Sequence, residues 1–202
     1  MELIEIYTGY PGTGKSLHVA ARVRRTARRG YPVISNVMYN VNKGRKPIYV
    51  PNDKLSPQLL EDFAAWYWQD RRVEESSILL VVDEAQLILN ARDWQSPDRM
   101  RWLGYFAQHR KLGYAIVLVA QSREMLDKQV RALAEEYVSH ICLNRMRVLG
   151  PIIHLLACGH PVVLARHRYA GVRSDSRDAN LRSEYIVGRK SLYRLYDSYQ
   201  RW

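Results

Sequence analysis

Apolar residues in this chain come in short runs separated by stretches with helical spacing. Residues 3–7, 31–36, 48–50, 77–82 and 114–120 are brief, mostly apolar runs, the signature of strands buried on both faces. Between them, residues 17–29, 56–72, 99–110 and 125–136 carry apolar side chains every three or four positions, as helices that cover a sheet do. Their ends are punctuated as helices require: Gly30 and Gly113 follow two of them, and Ser56-Pro57 opens another with a capping hydroxyl and a first-turn proline. The aromatic group Phe63, Trp66 and Tyr67 recurs at helical spacing and reads as core packing. Beyond residue 136 the pattern weakens, and residues 137–147, 152–158 and 162–169 read as strands of an added meander. Residues 170–183 are polar and mobile in composition, and 191–199 read as a short closing helix. Strand and helix alternating in this way predict an α/β three-layer sandwich around a mostly parallel sheet, with a C-terminal β-meander. One domain is expected over 1–202, its core over about 1–145 and the added strands and last helix over about 146–202.

The junction between the first strand and first helix changes this from architecture to chemistry. Gly9-Tyr10-Pro11-Gly12-Thr13-Gly14-Lys15-Ser16 has the G-x-x-x-x-G-K-[ST] spacing of a Walker A phosphate loop, so the fold class is that of a P-loop NTPase. Glycines let consecutive N–H groups converge on one phosphate, and the helix beginning near Leu17 aims its positive end at the same anion. Lys15 is placed to reach the β- and γ-phosphates, and the Ser16 hydroxyl to bind Mg²⁺. A second half-site follows at Asp83-Glu84, two carboxylates closing an apolar strand. Asp83 would hold Mg²⁺ through a water, and Glu84 would take the proton of the attacking water. The strand over 114–120 runs into Gln121, whose amide could sense the γ-phosphate or orient water; its alternative role is to cap the next turn. No acidic residue stands about 20 positions beyond the loop, where a dinucleotide fold needs one. ATP with Mg²⁺ is therefore the expected ligand, not NAD.

Charge adds a partner without naming it. Lys and Arg number 31 against 20 Asp and Glu, a net +11 that suits nucleic acid or an anionic membrane face. The arginines of residues 22–29 read as a solvated helix face. Cys142 and Cys158 lie in apolar surroundings and read as buried thiols, while His154, Cys158 and His160 lack a fourth ligand at zinc spacing. No leader is expected before the first strand, and residues 148–165 are broken by Pro151, His154, Gly159, His160 and Pro161, so the chain as given is expected to be soluble.

Taken in order, several stretches resemble the zonula occludens toxin-like family, which includes the assembly ATPase of filamentous bacteriophages. The resemblance rests on 7–16, Val82-Asp83-Glu84-Ala85-Gln86, His109-Arg110 before a strand ending Ala120-Gln121, and Leu192-Tyr193-Arg194-Leu195-Tyr196-Asp197-Ser198. The family's usual Arg-His order is reversed here at His109-Arg110. The resemblance implies an ATPase motor at the cytoplasmic face of the bacterial host inner membrane, tethered by a segment absent from this chain. It further implies action on phage coat protein or coated single-stranded DNA during virion extrusion. Motors of this kind commonly form a homo-oligomeric ring, such as a hexamer, in which a neighbour supplies an arginine to the site. The candidates are Arg110 and Arg131, the latter preferred, with Arg123 acting within its own subunit. A DNA translocase or packaging ATPase, and a non-catalytic nucleotide-dependent scaffold or toxin module, stand as alternatives.

Overall fold

The structure is a computed structural model that describes residues 4–90, 97–171 and 180–196. Its elements in chain order are β1 (Ile4–Thr8), α1 (Lys15–Arg28), β2 (Val33–Ser35), β3 (Ile48–Tyr49), α2 (Pro57–Trp68), β4 (Ile78–Val82) and α3 (Pro97–Gln108). There follow β5 (Tyr114–Val119), α4 (Lys128–Leu133), β6 (Glu136–Cys142), α5 (Gly150–Leu156), β7 (Val162–Tyr169), β8 (Asn180–Val187) and α6 (Lys190–Tyr193). The strands form one sheet in the order β3-β2-β4-β5-β1-β6-β7-β8. All pairings from β3 to β6 are parallel, and β7 and β8 add on antiparallel.

Because side chains alternate across a strand, each central strand feeds two cores. Ile6, Leu80, Ile116 and Leu118 face a layer built on Leu60, Trp102 and Phe106 of α2 and α3. Leu79, Val81, Val117 and Val138 face Leu17, Val23 and Ala27 of α1, joined by Leu192 of α6. The three-layer sandwich expected from the strand–helix alternation is what forms. This parallel arrangement sends the C-terminal ends of β1, β4 and β5 to one edge, so the loops after Thr8, Val82 and Val119 meet there.

Several sequence expectations are corrected beyond β5. The stretch 152–158 is not a strand: Pro151 sits in the first turn of α5, where its missing N–H costs nothing, and Ile152, Leu155 and Leu156 stay exposed. The third strand of the meander is β8 instead, so residues 180–183, read as mobile, pair with β7. Residues 172–179 lie outside the described set, as do 197–199 of the expected closing helix, of which the described residues contain α6. The helix expected over 125–136 is cut to α4, capped by the Asp127 carboxylate accepting from the N–H groups of Gln129 and Val130, and Glu136 already starts β6. Cys158 is exposed and Cys142 half-buried, against the expectation of buried thiols. Of the aromatic group on α2, Phe63 and Tyr67 pack on the core but Trp66 is 58% exposed. Arg22 is not on a solvated face: it is buried and ion-paired with Glu5 of β1.

Candidate active site

The phosphate loop leaves β1 and bends through Gly9, Gly12 and Gly14, whose φ values of 147°, 75° and 96° lie in the region residues with a Cβ seldom enter. Close approach constrains all three as well, Gly9 against the Thr13 hydroxyl. A Cβ on Gly14 would collide with Val163, and one on Gly12 with the guanidinium of Arg145, which donates to the Pro11 carbonyl at 3.2 Å. Thr13 closes the turn, its Oγ1 donating to the Tyr10 carbonyl at 2.8 Å. Tyr10 itself is 84% exposed, so its backbone and not its ring belongs to the loop. Gly14 caps α1 without a side chain, which leaves the first N–H groups of the helix for an anion.

Lys15 lies under the loop, its Nζ donating to the carbonyls of Gly9 at 2.5 Å and Tyr10 at 3.3 Å. Burial pushes its pKa down, and the charges of Asp83 and Glu84 oppose that. The three groups therefore sense one another as a single site. Ser16 and Leu17 follow on the first turn of α1, Ser16 half-buried and Leu17 in the core.

Asp83 and Glu84 follow β4 and are fixed by backbone geometry. Asn36, just past β2, accepts from the Asp83 N–H at 2.7 Å and donates to the Asp83 carbonyl at 2.8 Å. The Asp83 carboxylate accepts from the Glu84 N–H at 2.9 Å. Glu84 takes a left-handed φ of 48°, a conformation costing about 1–2 kcal/mol, and its carboxylate accepts from the Gln86 amide. Burial pushes the Asp83 pKa up to about 6, relieved partly by the Glu84 N–H and by Lys15. Ser16 and Asp83 offer a hydroxyl and a carboxylate, the hard oxygen ligands that Mg²⁺ takes.

Gln121 sits where β5 ends, its carbonyl accepting from the Gly9 N–H at 3.3 Å, with an exposed side chain. The two arginines considered for a neighbouring site lie elsewhere. Arg110 pairs with Glu135 at 2.5 Å, and Arg131 lies on α4, its carbonyl accepting from the Tyr137 hydroxyl. Glu135 bonds the carbonyl of Ile4, so both arginines stand by the start of β1, while the phosphate loop leaves its end. Arg123 pairs with Glu124 at 2.7 Å and covers the Tyr137 ring. The structure thus gathers Lys15, Ser16, Asp83, Glu84 and Gln121, and separates Arg110 and Arg131 from them.

Three residues at the site went unmarked in the sequence reading: Asn36, His140 and Arg145. A polar pair, Ser35-Asn36, closing a buried strand was a legible signal for the first. His140, whose Nδ1 lies 3.1 Å from the Thr8 carbonyl beside the loop, and Arg145 come from more than 120 residues away and carry no local signature.

Comparisons with known proteins place the chain in a family and a fold. The family model for zonular occludens toxin (Zot) matches residues 3–200. The gene 1 protein of Enterobacteria phage I2-2 is 28% identical over 98% of this chain and 56% of its own length. That of Enterobacteria phage fd is 26% identical over 96% and 58%. A protein of Pseudomonas phage Pf3 named for an assembly role, ORF301, is 30% identical over 73% of this chain and 44% of its own length. This chain therefore spans little more than half of the gene 1 proteins it matches. Among solved structures, the N-terminal domain of zonular occludens toxin from Neisseria meningitidis superposes with a TM-score of 0.57 at 20% identity, over 98% of this chain and all of that one. The DNA-packaging ATPase of Sulfolobus turreted icosahedral virus superposes with a TM-score of 0.51 at 16% identity, covering 80% of this chain and 91% of that one, which supports the fold alone. A match over all but a few terminal residues, on a P-loop fold with this loop and carboxylate pair, shows that the chain belongs to the zonular occludens toxin (Zot) family.

Proposed function

We propose that this chain is the Mg²⁺-ATP-hydrolysing motor domain of a filamentous phage assembly protein, driving virion extrusion from the cytoplasmic face of the host inner membrane. The observation that carries the reading is geometric: parallel β1 and β4 end at one edge of the sheet, so the phosphate loop with Lys15 meets the turn bearing Asp83 and Glu84, and the first N–H groups of α1 remain for phosphate. Lys15 would exchange its loop carbonyls for the β- and γ-phosphates. Ser16 and Asp83 would hold Mg²⁺, which neutralises phosphate charge when bound. Glu84, held by Gln86 and its strained backbone, would orient the attacking water and accept its proton, with Gln121 beside the loop as a second orienting group. The family resemblance, the gene 1 relatives and the assembly role in the Pf3 protein's name support the choice of assembly over other uses of ATP.

A second reading, direct translocation of nucleic acid, is favoured by the +11 charge and by an open groove of about 750 Å³ lined by Tyr39, Tyr49, Tyr193 and Tyr196. Virion release separates the readings. With Lys15→Ala or Glu84→Gln in the full-length protein, titre from infected cells is expected to fall by orders of magnitude while coat protein and phage DNA accumulate. Hydrolysis stimulated steeply by naked single-stranded DNA at low salt, with release unaffected by either substitution, would favour translocation.

A further inference from the structure

Between α1 and the added strands lies a buried group of polar side chains that nucleotide chemistry does not use. His18 projects from α1, His167 from β7 and Glu184 from β8, and one donor atom of each lies within 4.8 Å of the others. The hydrogen bonds around them fix which nitrogens carry protons. The Thr8 carbonyl can only accept, so His140 Nδ1, at 3.1 Å, must donate to it. In the neutral ring His140 Nε2 then accepts, so His18 Nδ1, 2.9 Å away, carries the next proton. The chain ends at His18 Nε2, a lone pair that faces Glu184 Oε2 at 3.5 Å.

His167 arrives at the same state from the other side. Its Nδ1 is 2.9 Å from Glu136 Oε2, another pure acceptor, and so donates. In the neutral ring its Nε2 is then a lone pair, buried and with no hydrogen-bond partner among the described residues, on a side chain 1% exposed. Two imidazole lone pairs and a carboxylate oxygen therefore converge. The Tyr7 hydroxyl reaches His18 Nε2 only at 3.5 Å, and its ring stacks on the imidazole at an interplanar angle of 20°, so it approaches the ring face and not the lone pair. The nearby arginines pair with other oxygens: Arg22 with Glu5, Arg25 with Glu184 Oε1 at 3.2 Å, and Arg182 with Glu5 and Glu136 at 3.8 Å. Three converging acceptors call for a cation.

We propose that His18, His167 and Glu184 form a binding site for a divalent transition-metal ion of the zinc class, with a fourth position open to water. Two imidazoles and one carboxylate are the ligand types that such ions favour over Mg²⁺ or Ca²⁺. The outer contacts are those that orient ligating histidines: Glu136 on His167 Nδ1, and the His140–Thr8 relay on His18 Nδ1. A cavity of about 170 Å³ bordered by His18, His167 and Glu184, and also by Arg22, Arg25, Arg29 and Arg182, has room for the water. The ion would clamp α1 to β7 and β8, and through His140 it would touch the carbonyl immediately before the phosphate loop.

The test uses the purified chain stripped with chelator, free of nucleotide and Mg²⁺, titrated with Co²⁺ and then Zn²⁺. Expected is uptake of about one equivalent, a visible Co²⁺ spectrum of low coordination number that Zn²⁺ abolishes, and a melting temperature that rises with Zn²⁺. His167→Gln and Glu184→Gln should each lose the uptake while still binding nucleotide, and Glu136→Gln should weaken it about 10- to 100-fold. Glu184 is partly exposed, so its variant tests the site even if His167→Gln fails to fold. No uptake by the folded wild-type chain, or undiminished uptake in Glu184→Gln, overturns the proposal. Histidine ring signals showing His18 as an imidazolium at neutral pH, with no metal bound, would assign the site to a proton and overturn it equally.

Discussion

Asp83 is a half-buried carboxylate whose desolvation Lys15 offsets only in part. Its folded pKa is raised from 3.8 to about 6, so in the ligand-free protein the group binds protons more readily folded than unfolded. By linkage, its contribution to stability is greatest below about pH 4 and is lost as pH rises through about 6. Mg²⁺ needs the ionised form, so Mg²⁺-dependent nucleotide binding should weaken as pH falls through about 6, where Asp83 takes up its proton. Asp83→Asn should abolish the Mg²⁺ dependence at every pH. Calorimetric titration of a nucleotide analogue at several pH values, with and without Mg²⁺, checks both. Mg²⁺ dependence that is flat down to about pH 5 would mean Asp83 is not the metal's carboxylate.

At the scale of elements, Asn36 ties the end of β2 to the turn after β4 and so sets where Asp83 and Glu84 stand. Asn36→Ala would leave the buried N–H and C=O of Asp83 unpaired, a loss of about 1–3 kcal/mol that urea denaturation should register alongside a drop in turnover. Unchanged stability would show that the clamp is dispensable. The parallel core was legible because β4 and β5 are continuous apolar runs and β1 and β2 are mostly apolar, and the phosphate loop was legible because its chemistry is local. Legibility failed after β5 for stated reasons. The apolar residues of α5 are exposed, so burial did not impose a period on them, and β8 pairs through Arg182, Ser183 and Glu184, whose polarity disguises a strand. His140, Arg145, His18 and His167 assemble from α1, β6, β7 and the turn after β6, a gathering that only tertiary structure reveals.

For the whole molecule, the separation of Arg110 and Arg131 from the phosphate loop means that either would reach a nucleotide only across a subunit boundary. Arg110 already pairs with Glu135, whereas Arg131 borders an open cavity of about 480 Å³, which keeps Arg131 the preferred candidate. Mixing Arg131→Ala subunits with Lys15→Ala subunits should restore hydrolysis where an intact loop meets an intact arginine. No recovery, in an assembly shown by sedimentation to mix, would remove Arg131 from the site.

The most direct measurement is phosphate release from Mg²⁺-ATP by the purified chain, made in parallel with equilibrium binding of a fluorescent ATP analogue. Glu84→Gln should bind as the wild type does and release phosphate about 10²- to 10⁴-fold more slowly, since an amide can orient water but cannot take its proton. Lys15→Ala should lose binding itself, with an unchanged circular dichroism spectrum. Wild-type turnover in Glu84→Gln, or wild-type affinity in Lys15→Ala, would contradict the assignment of this site to ATP hydrolysis.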